Sequence, residues 1–437
     1  MVTRYTKDKK IKGLRIYPTG YYVYYRLNGK RREMKISSKD TSINVVRKKA
    51  KQILEKVVME IDPLEEKKNL AIKSNFSPAV KLIQDLCLIP GLSGYEDNVR
   101  KYLQTKLNEN KLKHSTDVLG NLVCTLPGKK NLPSVMLFAH MDQLGFIVKK
   151  IEDNGFIRVE RLGGVPEKSL ASQEVTIESE DGKYFNGIIG SKSHHATLAE
   201  EKYKVISIRD LYIDAGFANK QEVIQNKINI GSPITYAPYF NKIGKHSLVG
   251  TSIDDRAGCA IILEVAKNLK KNIYRPTVHI VFSVQEEFNL RGVLPAAQKL
   301  KPDIAIQIDL MLSSETPDME KQGDVFLGKG PCMSMYSFHG RGTLNGLIPH
   351  PSLTNLFKVV SQKYNINLQK SATAGVLTDS SYVQLVDKGI AAIDMGFPLK
   401  YSHSSREICD LRDLTDLQNL LLKAIMSIDK SFSLIRI

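Results

Sequence analysis

Two adjacent carboxylates, Glu286 and Glu287, follow an apolar run at residues 277–285. Carboxylates at the end of a buried strand are unfavourable unless a cation or hydrogen-bond donors compensate their charge. A metal ion would satisfy one of them, and the other would then be available for proton transfer. The pair therefore predicts a site of metal-assisted chemistry.

Three further apolar runs lead into a side chain that can bind a metal. The runs span residues 134–139, 303–308 and 389–396. His140 and Asp309 directly follow the first two, and the third leads through residues 397–402 to His403. Short runs of apolar and β-branched residues predict strands that are buried on both faces. Because sites in open α/β sheets form outside the carboxyl ends of the strands, we expect these side chains to converge.

Two more acidic residues fit the same site. Asp254 precedes an apolar helical stretch at residues 257–269. An acid at a helix start is favoured by the helix dipole, so a simple cap explains Asp254 as well as a metal ligand does. Asp142 lies two residues after His140, where its carboxylate could accept the second N–H of the imidazole and fix its tautomer.

The types of side chain indicate the metal. Two histidines and three carboxylates without cysteine suit zinc, cobalt or manganese. Five ligands exceed the needs of one four-coordinate ion and suit two ions about 3.5–4 Å apart with a bridging carboxylate. Paired carboxylates can also cleave glycosides. That chemistry does not require this ligand set, and the chain has no Trp, the commonest sugar-stacking side chain.

The order of these motifs resembles metallopeptidase family forty-two, which includes glutamyl, deblocking and tetrahedral aminopeptidases. The motifs are Ala-His-Met-Asp142, Asp254-Asp-Arg-Ala-Gly258, Val284-Gln-Glu-Glu287, the strand ending at Asp309, and Leu399-Lys-Tyr-Ser-His403. The likeness runs from about Pro78 to near the C-terminus. Each motif alone is a weak signal, but five in order with compatible spacing are highly specific.

The resemblance implies two divalent metal ions per subunit, zinc or cobalt with manganese as a further option. Asp254 would bridge them. Glu287 and His403 would complete one site, and His140 and Asp309 the other.

The resemblance also implies how the reaction proceeds. Glu286 would be the general base that deprotonates a metal-activated water, and Asp142 would orient His140. The peptide bond between Asp254 and Asp255 would be cis. Such a chain would be an aminopeptidase that hydrolyses N-terminal residues from short peptides.

The first 73 residues have a different composition. They contain 20 Lys and Arg against 8 Asp and Glu, a net charge of +12, whereas the whole chain has a net charge of +17. The high isoelectric point is therefore a property of the N-terminus. A basic segment with few acids is typical of nucleic-acid binding.

The N-terminal pattern predicts a three-stranded sheet followed by a helix. Strands are expected at residues 13–17, 21–27 and 30–36, with an Asn-Gly hairpin turn before the third. A helix should run from Ser42 to about Ile61. This layout resembles the arm-binding domain of prophage tyrosine recombinases, in which the sheet enters a DNA groove. The side chains that would contact DNA are Tyr22, Tyr24, Arg26, Lys30, Arg31 and Arg32.

Other interpretations of the N-terminus are open at this point. The tyrosines could simply be strand residues of a half-buried sheet, and the segment could be the remnant of a prophage insertion. A DNA-binding protein with an inactive peptidase half is a further alternative, although all five ligands and the base are present. His403-Ser-Ser-Arg406 matches the short His-x-x-Arg box of recombinases. That chemistry also needs a nucleophilic Tyr after the box, and the last Tyr is Tyr401, so the whole chain is not a recombinase.

The chain of 437 residues is long enough for two or three domains. We expect an arm-binding-like domain at 1–73 and an α/β three-layer catalytic domain at 78–145 and 247–437. Residues 146–246, with short strands and frequent Gly and Asn, predict an inserted β-barrel. The resemblance implies that this barrel mediates dimerisation and assembly toward a tetrahedral dodecamer.

Composition also bounds the compartment. No apolar run reaches the roughly 18 residues of a membrane span, and the N-terminus lacks the apolar core of a signal peptide. The five Cys form no Cys-x-x-Cys pair. We therefore expect a cytoplasmic protein with reduced thiols and no membrane partner.

Overall fold

The computed structural model describes residues 6–7, 14–17, 20–27, 30–38, 41–58, 78–272, 275–339 and 346–436. The chain divides into two compact units, Met1–Lys81 and Leu82–Ile437. Within the described ranges, we find no helix with the length and apolar character needed to cross a bilayer.

The described residues of the N-terminal unit up to residue 58 form an antiparallel sheet and one helix. The elements are β1 (Thr6–Lys7), β2 (Leu14–Tyr17), β3 (Gly20–Leu27), β4 (Lys30–Ser37) and α1 (Ile43–Val58). The three predicted strands are confirmed, and β1 adds a short fourth strand at the edge. Leu14 and Val23 of the sheet and Val46 and Ala50 of the helix are fully or almost fully buried. The helix therefore covers one face of the sheet. The predicted end of this helix near Ile61 lies outside the described residues.

Two helices and three strands come next along the chain. They are α2 (Pro78–Cys87), α3 (Asp97–Glu109), β5 (Ser115–Thr116), β6 (Leu122–Leu126) and β7 (Val135–His140). All six residues of β7 are buried, as expected of a strand that is covered on both faces.

Six strands then form a closed barrel, and the predicted insert is confirmed as a β-barrel. They are β8 (Gly145–Ile151), β9 (Ile157–Leu162), β10 (Glu174–Glu178), β11 (Tyr184–Ile189), β12 (Ile213–Asp214) and β13 (Pro233–Tyr236), with α4 (Lys220–Gln225) and 3₁₀ turns at Glu167–Ser169 and His194–Ala196. Alternate residues such as Val175 and Ile177 fill its interior. The first and last barrel strands pair with each other, Phe146 opposite Ile234.

The remaining elements complete the large sheet and its helical layers. They are β14 (Phe240–Ile243), β15 (Ser247–Gly250), α5 (Ile253–Leu269), β16 (Val278–Ser283), α6 (Val293–Leu300), β17 (Ile304–Leu312), β18 (Cys332–Phe338), β19 (Gly346–Leu347), α7 (Pro351–Lys363), β20 (Gln369–Ala374), α8 (Ser380–Val383), β21 (Ala391–Lys400), β22 (Glu407–Asp410) and α9 (Leu411–Met426).

The centre of the large sheet positions the site. Its main path is β14-β15-β22-β21-β17-β7-β16-β6-β5. The four neighbouring strands β21, β17, β7 and β16 are mutually parallel. Their carboxyl ends therefore meet at one edge, and the predicted α/β fold class is confirmed.

Candidate metal centre and active site

Two groups of potential metal ligands lie at the carboxyl edge of the four parallel strands. The first group consists of His140, Asp254 and Asp309, and the second of Asp254, Glu287 and His403. Within each group, the ligand atoms lie within 4.8 Å of one another. Asp254 belongs to both groups. The structure thus brings together all five side chains that the sequence analysis selected as ligands.

Asp254 lies where the backbone bends, at the start of α5. Asp254 and Asp255 have non-helical φ/ψ angles inside the first turn, and the peptide bond between them is cis, as expected. One carboxylate oxygen of Asp254 lies 3.1 Å from Nε2 of His140. The other lies 3.6 Å from Nε2 of His403. Asp254 is therefore placed to be shared, which a simple helix cap would not require.

The two groups differ in exposure. The side chain of His140 is 1 % exposed, whereas that of His403 is 35 % exposed. We call the group with His140 the buried half-site and the group with Glu287 and His403 the exposed half-site.

Asp142 ties the end of β7 to the segment after β16. Nδ1 of His140 lies 3.2 Å from the backbone oxygen of Asp142 and 3.5 Å from its carboxylate. The carboxylate also accepts hydrogen bonds from the backbone N–H groups of Glu286 and Glu287, both at 3.0 Å, and from the Ser93 hydroxyl. Burial alone would raise the pKa of Asp142, but His140 and these donors hold it below its usual value.

The adjacent carboxyl groups of Glu286 and Glu287 lie in an environment that disfavours their negative charge. Burial raises the pKa of Glu286 well above its usual value, with Asp309 adding to the effect and His140 opposing it. Burial likewise raises the pKa of Glu287 to about 7, against the opposing effect of His403. Glu286 is in neither half-site. Its carboxyl group is thus close to the ligand groups but belongs to neither of them.

The donor set fits a pair of divalent cations. Three carboxylates and two imidazoles supply oxygen and nitrogen ligands, which suit zinc and cobalt. Carboxylates held this close repel one another unless positive charge lies between them. A bridging carboxylate with two further ligands on each side is an arrangement for two ions.

The sequence analysis missed the side chains that hold these ligands in place. The buried carboxylate of Glu407 accepts the backbone N–H groups of Asp254 at 3.1 Å and His403 at 2.9 Å. Gln307 donates to Asp309 at 3.1 Å. Glu96 accepts the N–H of Gln285 at 3.1 Å, next to Glu286. Gln307 alone carried a signal in the sequence, as the polar residue inside an apolar strand.

In the N-terminal unit, two predicted DNA contacts lie on one face of the sheet. The Arg15 guanidinium lies 3.8 Å from the centre of the Tyr24 ring, and Nζ of Lys35 lies 5.9 Å from that of Tyr22. Arg15 also pairs with Glu33 at 3.4 Å. Four other predicted contacts are on β3 or β4, but their side chains lie outside the described residues: Arg26, Lys30, Arg31 and Arg32.

Known proteins resemble the chain along most of its length. It is 36 % identical to "Putative aminopeptidase SgcX" of Escherichia coli K12 over 331 residues, which cover 76 % of this chain and 88 % of that protein. It is 30 % identical to "Lysyl aminopeptidase" of Pyrococcus furiosus over 341 residues, 76 % of this chain and 93 % of that protein.

Solved structures give the same result. An aminopeptidase from the archaeon Desulfurococcus kamchatkensis matches with a TM-score of 0.76 and 32 % identity, covering 81 % of this chain and 96 % of that one. The Pyrococcus horikoshii TET1 peptidase, described as assembling into a tetrahedron or a large octahedral shell, matches with a TM-score of 0.72, 27 % identity and coverage of 80 % and 99 %. Residues 120–420 match the family model for M42 glutamyl aminopeptidases. The chain therefore belongs to the M42 family.

Proposed function

We propose that this chain is a metal-dependent aminopeptidase that hydrolyses N-terminal residues from short peptides. The observation that carries the proposal is the pair of half-sites that share Asp254, with Glu286 beside them. Relatives named as aminopeptidases support the same activity.

His140 and Asp309 would hold one divalent cation, Glu287 and His403 the other, and Asp254 both. Zinc and cobalt fit these ligands best, and manganese is the third candidate. When bound, such cations would acidify water and polarise the scissile carbonyl group.

Glu286 would act as the general base. Its buried carboxylate would accept a proton at an Oε atom from the attacking water and deliver it to the leaving amine, a role typically worth about 10²–10⁴-fold in rate. The hydrogen bond from the backbone N–H of Glu286 to Asp142 holds the backbone from which the Glu286 side chain extends. Asp142 would also keep the His140 imidazole in the orientation that a ligand needs.

The test is a panel of amino-acid anilides and a cellulose oligomer, each assayed with and without a chelator. We expect release of the amino acid from the anilides, abolished by the chelator and restored by zinc or cobalt. Sugar release that is insensitive to the chelator, without peptide cleavage, would favour a glycosidase instead. The ligand geometry argues against that alternative, because the carboxylates are grouped with imidazoles and not as an isolated pair.

We further propose that residues 146–246 form a dimerisation domain between the two parts of the catalytic domain, 78–145 and 247–437. A closed barrel inserted in the chain and the assembly named for the Pyrococcus horikoshii relative support this role. Analytical ultracentrifugation of the full chain tests it, with dimers or larger multiples expected. A monomer at micromolar concentration would contradict it.

A third proposal concerns residues 1–73, an arm-binding-like domain that would bind duplex DNA. The face of the sheet opposite α1 combines Tyr22 and Tyr24 with Arg15 and Lys35. Strands of this kind can enter a DNA groove, and the net charge of +12 would attract the phosphates.

A further inference from the structure

The two histidines of the metal centre are oriented by different parts of the molecule. His140 faces Asp142, two residues further along the same chain segment. His403, by contrast, donates from Nδ1 to the backbone oxygen of Gly164 at 3.0 Å. Gly164 follows β9 in the barrel. The barrel therefore contacts a ligand of the exposed half-site directly.

This hydrogen bond decides which nitrogen of His403 can bind a metal. With Nδ1 donating to Gly164, Nε2 is the free ligand atom. Nε2 lies 3.6 Å from Asp254 and 3.7 Å from Glu287, so it points into the exposed half-site. Glu407 holds the backbone N–H of the same histidine at 2.9 Å. His403 is thus held both at its backbone and at its ring.

Gly164 also leaves the space that the imidazole ring occupies. A Cβ atom at this position would lie 2.7 Å from Nδ1 and 2.9 Å from Cε1 of His403. Both distances are below 3.0 Å, and Cβ atoms in proteins essentially never lie so close to another heavy atom. The imidazole ring would therefore have to move. The φ angle of Gly164 is outside the left-handed region that favours glycine. The backbone would accept an alanine, and it is His403 that excludes one.

The neighbouring residue, Gly163, lies close to Glu287, the other ligand that is specific to the exposed half-site. Gly163 has a φ of +89°, and a Cβ built on it would lie 3.5 Å from the Glu287 carboxylate. The turn Gly163–Gly164 therefore lies against both ligands that are specific to the exposed half-site.

We propose that Gly164 is a positioning residue for the exposed half-site. Its carbonyl group sets the tautomer and orientation of His403, and its missing side chain provides room for the ring. This inference rests on the two-metal function proposed above. It means that metal binding in the exposed half-site depends on the barrel, whereas binding in the buried half-site does not.

The test is Gly164→Ala, with metal binding as the readout. Chelator-treated protein is titrated with Zn²⁺ against a competing chromogenic chelator, so that the two equivalents are resolved. We expect one equivalent to bind within about twofold of wild type and the other to bind about 10–100-fold more weakly, as for other changes to a partner of a ligand. In the zinc-loaded proteins, the ¹⁵N shifts of the His403 imidazole should show a protonated Nδ1 in wild type and loss of that form in the variant.

Val165→Ala is the matched control, since it removes part of a buried barrel side chain next to Gly164. It should lower the melting temperature and leave both metal affinities unchanged. Wild-type affinity for both equivalents in Gly164→Ala would overturn the inference, and so would an equal weakening of both equivalents in the two variants. Failure of the wild-type protein to bind any metal would instead refute the proposed function on which the inference rests.

Discussion

Asp142 accepts a hydrogen bond from the backbone N–H of Glu286 at 3.0 Å, across 144 residues of sequence. The same carboxylate faces the imidazole of His140. One buried side chain thereby links a metal ligand on β7 to the proposed base after β16. A displacement of either strand end would change the distance between the base and the metal ligands.

Replacing Asp142 with Asn should disrupt this link. An amide has one acceptor oxygen and one NH₂ group, so a backbone N–H of Glu286 or Glu287 would face another donor. We expect kcat to fall about 10–100-fold and the free energy of unfolding to fall by about 1–3 kcal/mol. Ser93→Ala, which removes only the hydroxyl donor to Asp142, should have a smaller effect on kcat. Turnover of Asp142→Asn within twofold of wild type would argue against the link.

Glu286→Gln should separate proton transfer from metal binding. The glutamine keeps the size of the side chain but cannot accept a proton, so kcat should fall by about 10²–10⁴-fold. Metal content, measured by elemental analysis, should remain at two ions per chain because Glu286 is in neither half-site. Glu287→Gln is the control, and it should lose metal. Near-wild-type turnover of Glu286→Gln would remove the assignment of the base.

The titration of Glu96 should make the stability of the metal-free protein depend on pH. Burial and the nearby Asp142 raise the pKa of Glu96 to about 7. The folded state therefore keeps a proton that the unfolded state loses above about pH 4.5, and this contribution to stability declines as pH rises from about 4.5 to about 7.

Glu96→Gln cannot ionise and keeps an acceptor for the N–H groups of Gly94 and Gln285. At pH 8 this variant should be more stable than wild type, by on the order of 2 kcal/mol. At pH 4.5 the two proteins should differ little. Urea unfolding with a chelator at both pH values measures this. An equal difference at both pH values would show that Glu96 does not titrate in this range.

DNA binding by the N-terminal unit should depend on the Tyr22–Tyr24 face. We expect the full chain to bind duplex DNA with an affinity that falls as salt rises, and a chain lacking residues 1–77 to lose this binding. Arg15→Ala and Lys35→Ala should each weaken binding and reduce the slope of log affinity against log salt by about 1.

Lys51→Ala tests whether DNA affinity depends on the Tyr22–Tyr24 face or only on the total positive charge. Lys51 is exposed on α1, which covers the other face of the sheet, and its loss removes the same charge. It should affect binding less than Arg15→Ala. Equal effects of the two variants would indicate non-specific attraction. No detectable binding at low salt would favour a remnant without a DNA function.

The ligands could be predicted because their signal is local. His140, Asp309 and the Glu286–Glu287 pair each follow an apolar run, and parallel strands bring such ends together. The residues that hold the ligands had no such signal. Gly164 and His403 are 239 residues apart in sequence, and neither lies in a pattern that would indicate contact. The hydrogen bond from the backbone N–H of Asp254 to Glu407 likewise joins residues 153 positions apart in sequence.

The pairing of β8 with β13 keeps the two ends of the barrel insert side by side, with Phe146 opposite Ile234. His140 and Asp254 can consequently remain neighbours although 114 positions separate them in sequence. Length changes outside these paired strands, such as in the exposed segment between residues 190 and 212, would leave the pairing intact. The insert is thus free to vary in such segments, provided that the turn at Gly163–Gly164 is retained.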